Sequence, residues 1–238
     1  MNRVAVALVF VLGCSGTEDR ATNEVGVSYT AVQDDLVTGT FETQYGSVQF
    51  ESRVTSEGVV DVTFAKDERA FGSHVDWNAL TVDLVVGDDH QVTNDDRFLL
   101  RALVSALEHD LGNEMPAADN LIRQANVWSI QPDGAVQRKQ IVADPERGWT
   151  RLCGVNNYTF GHDSNGHGWS NEYLACGIYE RSNPCRDRCG PGCVSWWGSS
   201  AWTKHCGDHD RCEQLHSTSE CAGEAWGASD DFSFAGNC

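Results

Sequence analysis

Two observations predict a two-domain α+β protein. Apolar residues alternate with polar ones between turn signals from Val25 to about Gly87, and nine of the ten cysteines crowd between Cys153 and Cys238. The first pattern belongs to an antiparallel β-meander with a packed helix, the second to a small disulfide-rich, mainly α domain. The expected divisions are a signal peptide over 1–13, a tether over 14–24 and an α+β domain over 25–147. A connecting segment over 148–184 and a stapled domain over 185–238 follow.

The leader comes first. Met1 to Arg3 is cationic, and Val4 to Leu12 is an unbroken apolar run of nine residues. That is too short to span a bilayer and suits a secretory h-region. It ends Val11-Leu12-Gly13-Cys14, which resembles a bacterial lipobox and implies lipidation at Cys14. The expected location is therefore export, with a lipid anchor holding the chain to a bacterial membrane, the outer one above all, in the envelope or at the surface.

In the first domain, Val48-Phe50-Ser52-Val54, Val60-Val62-Phe64 and Leu80-Val82-Leu84 alternate, and Gly39, Gly46, Gly58 and Gly72 read as turns. The sheet should have one wet face. A helix follows, capped by Thr93 or Asn94, with Asp95 and Asp96 in its first turn and a stripe of Leu99, Leu103, Leu107 and Leu111 before Gly112. His109 and Asp110 at its end read as surface. No motif assigns this domain a role beyond spacer or binding module.

From Gly148 to Cys185 the chain is aromatic and rich in Asn and Gly, with little periodicity. It reads as a loop pinned by Cys153 and Cys176. His162-Asp163 and His167 make only a weak metal pattern.

Ser200 or Thr203 can cap a helix through Lys204-His-Cys206-Gly-Asp-His209-Asp210-Arg-Cys212-Glu-Gln-Leu215-His216. Six positions apart on a helix, Cys206 and Cys212 point about 120° from each other, so each must clasp a different element. His209 lies midway and is held between the two bridges. A second helix over Ser219 to Ala235 would put Gly227, Ala228, Asp231 and Ala235 on one closely packing face. Its Asp230 and Asp231 compete to hold His209 by one nitrogen and leave the other free as a base, and helix phase favours Asp231. Upstream, Arg188-Cys189-Gly190-Pro191-Gly192-Cys193 forms a tight loop able to turn carbonyls toward a hard cation, with Asp210 as an anionic ligand.

These residues resemble the secreted phospholipases A2, which pair a C-G-x-G calcium loop with a helix reading C-x-x-H-D-x-C. Cys189-Gly190-Pro191-Gly192 is similar to the loop, and Cys206-x-x-His209-Asp210-x-Cys212 to the helix. The resemblance covers about Cys185 to Cys238. It departs from the animal enzymes at His205, where they carry a second cysteine. It implies Ca²⁺ held by carbonyls of Arg188, Gly190 and Gly192 and by Asp210. It also implies a water activated by His209, with Asp231 or Asp230 orienting the ring, and attack on the sn-2 ester of a phospholipid at a membrane surface. Trp196, Trp197 and Trp202 read equally well as an interfacial rim or as the core of a tiny domain.

The export signal makes a disulfide framework the expected state of Cys153, Cys176, Cys185, Cys189, Cys193, Cys206, Cys212, Cys221 and Cys238, with one thiol left over. A net charge of −18 excludes nucleic acid as a partner and disfavours adsorption to anionic lipid. Two rivals stand beside the hydrolase. One is a non-catalytic binding module on the same scaffold, and the other a structural zinc site at Cys206, His209 and Cys212.

Overall fold

The computed structural model describes residues 26–44, 46–87, 91–136, 139–143, 156–159, 173–175, 189, 203–216 and 219–235. The chain runs β1 (Gly26–Gln33), β2 (Leu36–Thr43), β3 (Gly46–Ser56), β4 (Val59–Lys66), β5 (Arg69–Asp76), β6 (Thr81–Val86) and β7 (Gln91–Val92). Helices α1 (Asn94–Asp110) and α2 (Pro116–Ser129) follow, then β8 (Gly134–Ala135), β9 (Gln140–Val142), β10 (Asn156–Thr159) and β11 (Tyr173–Ala175). Helices α3 (Lys204–Leu215) and α4 (Ala222–Phe234) complete the order.

The alternation in the sequence becomes a seven-stranded antiparallel sheet in the order β1-β2-β3-β4-β5-β6-β9. Register puts like residues side by side on the inner face. Val54, Val60, Val75, Val82 and Ile141 form one cross-strand row, and Phe50, Phe64 and Phe71 another. Rows of this kind are the unit from which sheets gain stability. The outer face is polar, as expected. Thr30, Thr38, Thr40, Gln49, Glu51 and Thr63 border a shallow depression of about 390 Å³ there.

Gly46 and Gly58 lie at turns with φ of 131° and 74°, in the region glycine adopts at no steric cost. Gly39 and Gly72 do not mark turns and sit mid-strand. A Cβ on Gly72 would stand 2.1 Å from the Val62 carbonyl oxygen. One on Gly39 would meet the Ser28 oxygen at 2.4 Å and the Phe50 ring at 2.8 Å. Close backbone approach explains both glycines, at Gly39 beside a bulge between Tyr29 and Ala31.

Thr93 caps α1 in a reciprocal capping box with Asp96. Leu99, Leu103 and Leu107 are buried with Leu100 and Val104, and His109 is 88 % exposed at the far end. Helix α2 has no counterpart among the sequence expectations. Pro116 starts it, and nearly every residue is buried, including Asn120, Arg123, Gln124 and Asn126. It is covered by β2–β4 on one side and α4 on another, so it shows no polar face to give an amphipathic pattern. Between Gly148 and Cys185, where no periodicity shows, β10 and β11 pair antiparallel.

Helices α3 and α4 pack on each other, and α4 packs on α2 and touches β9. One apolar cluster takes in Val60 and Phe64 of the sheet, Trp128 of α2, and Cys206, Ala225, Phe232 and Phe234 of the last two helices. Phe234 stands edge-on to Trp77 at 5.1 Å. Arg123, paired with Asp119 at 2.7 Å, donates from Nη1 to the carbonyls of Ala235 at 3.0 Å and Ser233 at 3.4 Å. A guanidinium on these last carbonyls satisfies groups the helix leaves open and opposes its dipole.

Candidate functional site

Helix α3 starts at Thr203, whose Oγ1 accepts from the Cys206 amide at 3.2 Å and lies 3.4 Å from Cys189 Sγ. Cys206 is bonded to Cys189 and Cys212 to Cys221. The two motif cysteines thus clasp different elements, as their helical spacing requires. The same bonds remove the zinc alternative at Cys206, His209 and Cys212, since both sulfurs are already in disulfides. The bond to Cys189 joins α3 at Cys206, three positions before His209.

His209 is 2 % exposed and stands edge-on to Phe232 at 6.3 Å. Neither ring nitrogen has a hydrogen bond. Nδ1 faces Asp210 Oδ1 and Nε2 faces Glu213 Oε1, each at 3.5 Å. Glu213 is held in turn by Arg101 of α1, whose Nη2 donates to Oε2 at 2.7 Å and Oε1 at 3.0 Å. Burial pushes the Glu213 carboxyl up, but His209 and then Arg101 outweigh it and keep it below the usual carboxylate range. An ionised carboxylate therefore lies on the Nε2 side of the ring.

Asp231 does not take that place. It is fully buried, and its ion pair is with His205, Nδ1 to Oδ2 at 3.3 Å. Asp230, 8 % exposed, lies in the same group, with one donor atom from each of the three residues within 4.8 Å of the others. The contact with Asp231 raises the pKa of the His205 ring, against the effect of burial and with help from the charges of Asp231, Asp230 and Asp208. His205 and His209 are four positions apart and share one face of α3, so the exchange is one of height: α4 presents Asp231 about one turn earlier, at His205. Gly227, expected on the packing face of α4, is exposed and has open space where a Cβ would stand. Ala225, Ala228 and Ser229 are buried.

Sequence reasoning missed Glu213 and Arg101. The first has a signal, an acid four residues after the histidine on one helix. The second has none, because it arrives from an element more than a hundred residues away. Arg188, Gly190 and Gly192 lie outside the described residues. So do Cys14, Cys153, Cys176, Cys185, Cys193 and Cys238, the tryptophans 196, 197 and 202, and His162, Asp163 and His167.

Set against models of known protein families, curated proteins and solved structures, the chain matches none of them. No helix among the described residues is long and apolar enough to cross a membrane.

Proposed function

We propose that the α3 site hydrolyses the sn-2 ester of phospholipids with a water activated by His209 and with Ca²⁺ as cofactor. The observation that carries this is the Cys189–Cys206 bond, which joins the residue just before the Gly-Pro-Gly sequence to α3, three positions before His209. His209 has the surroundings of a base. Glu213, anchored by Arg101, lies on its Nε2 side, and Nδ1, which makes no hydrogen bond and faces Asp210 at 3.5 Å, would take the proton from water once the ring is reached. Asp210, 26 % exposed beside the ring, offers an anionic oxygen of the kind a hard cation prefers. The residues to hold Ca²⁺ would be Asp210 and the carbonyls of Arg188, Gly190 and Gly192. The bound ion would supply positive charge for the oxyanion of the attacked ester. The reading also keeps the expected lipid anchor at Cys14 and an outer-membrane or surface location, which would put the enzyme next to its substrate.

His209 is 2 % exposed, so the ring must become accessible before water and ester reach it. The same burial favours a second reading, a non-catalytic lipid-binding module on this scaffold. Hydrolysis of phospholipid vesicles by the full chain, with Ca²⁺ and with chelator, separates the two. The hydrolase predicts Ca²⁺-dependent turnover that falls about 10²–10⁴-fold in His209→Ala. Turnover at the wild-type rate in that variant would show the base to be another residue, and no turnover by the intact chain leaves the binding module.

A further inference from the structure

We propose a second, nitrogen-containing metal site where His205 of α3 meets Asp230 and Asp231 of α4, taking a first-row divalent cation of the zinc type. The placement is independent of the proposed hydrolase, whose Ca²⁺ would sit on the other side of α3 at Asp210.

The first observation is a carboxylate with unmet demand. Asp231 is fully buried, and neither of its oxygens makes a hydrogen bond; Oδ1 has no ion pair either. Burying a carboxylate in this state is costly unless a cation compensates it. The single ion pair, His205 on Oδ2, does so only in part.

The second observation is the separation. A good charge-assisted hydrogen bond brings N and O to about 2.7–2.9 Å. His205 Nδ1 and Asp231 Oδ2 stand 3.3 Å apart without hydrogen-bond geometry, and Nδ1 is buried with no other partner. Donors at about 2.0–2.1 Å from a tetrahedral ion lie roughly 3.4 Å from each other, so 3.3 Å is the edge of a coordination polyhedron. The three donor atoms fall within 4.8 Å of one another.

The donor set selects the ion. One imidazole and two carboxylates suit zinc-like cations, whereas Ca²⁺ takes six to eight oxygens. Asp208 adds negative charge beside the ring, as its effect on His205 shows. Three protein donors leave a tetrahedral ion one further position. The ion would join α3 to α4 at a second point, besides the Cys212–Cys221 bridge.

The test is equilibrium dialysis and X-ray absorption of the oxidised full chain with Zn²⁺, alongside His205→Gln and Asp231→Asn. Circular dichroism of both variants checks that they fold, and His205→Gln, at a partly exposed position, carries the test if Asp231→Asn does not. The expected result is one Zn²⁺ per chain with nitrogen and oxygen neighbours only, undisturbed by millimolar Ca²⁺. Affinity should fall at least tenfold in each folded variant. Wild-type protein that fails to retain Zn²⁺, sulfur in the absorption spectrum, or a folded His205→Gln binding Zn²⁺ as the wild type does would overturn the site. None of these outcomes bears on vesicle hydrolysis, so the two proposals fail separately.

Discussion

Asp96 shows how much one side chain carries at the start of α1. It is 3 % exposed and binds Lys66 Nζ at 2.7 Å, Arg69 Nη2 at 3.0 Å, and both the amide and hydroxyl of Thr93. Burial alone would raise its pKa, but the bonds from Lys66, Thr93 and Arg69 outweigh that and bring it to about 2. A folded pKa below the ordinary 3.8 contributes stability that is complete above 3.8 and lost as pH falls from there to about 2. Asp96→Asn leaves Lys66 buried without its partner and should cost about 3–5 kcal/mol, measured by urea unfolding at pH 7. An unchanged midpoint would show that solvent already neutralises Lys66. At the same scale, Glu213→Gln removes the charge facing His209 Nε2. It should slow vesicle hydrolysis roughly tenfold, about 1.4 kcal/mol in the barrier. A wild-type rate would leave the ring oriented by another group, with Asp210 the nearest.

Among the elements, α4 is the one whose position decides the site, because it brings Asp231 to His205 and Phe232 to His209. Its own composition explains little of this. Glu224, Ser229, Asp230, Asp231 and Ser233 are buried on it, so it lacks the polar face of a surface helix. It is fixed by Arg123 on its last carbonyls and by Phe234 against Trp77. Arg123→Ala should therefore cost about 2–3 kcal/mol, since charged hydrogen bonds to two buried carbonyls go together. Hydrogen exchange should quicken in α4 more than in β3 or β4. Uniform exchange across the chain would mean that Arg123 stabilises α2 alone. A helix within Ser219–Ala235 was legible in the sequence, but the partner its faces meet was not: Asp231, expected at His209, lies at His205, and Gly227, expected to pack, is exposed.

At the scale of the whole molecule, the stapled helices share an apolar cluster with the sheet, through Cys206, Ala225, Phe232 and Phe234. Reduction should therefore unfold α3 and α4 first, each lost bridge contributing about 2–4 kcal/mol. The sheet should keep its circular dichroism signal but melt at a lower temperature, because Trp77, Arg123 and the inner side of α2 lose their cover. Titrating reductant while following melting and hydrolysis together checks this. Hydrolysis intact after full reduction would sink the stapled-helix site, and an unmoved sheet transition would show the two parts to be energetically separate.

The sequence by itself determined the meander, the wet outer face, the start of α1 at Thr93 or Asn94 and the helical frame of the His209 motif. Each of these rests on neighbours in the chain: period-two alternation, a capping side chain before acidic residues, the angle between Cys206 and Cys212. Tertiary structure alone decided the rest. Gly39 and Gly72 are set by the close approach of neighbouring strands in the sheet, and α2 hides its helical pattern because α1, the sheet and α4 all cover it. Arg101 reaches Glu213, and Asp231 faces His205 and not His209, through the packing of helices distant in sequence. Periodicity states which side chains share a face; it does not state which partner that face meets, because that depends on the rotation and height at which two elements pack.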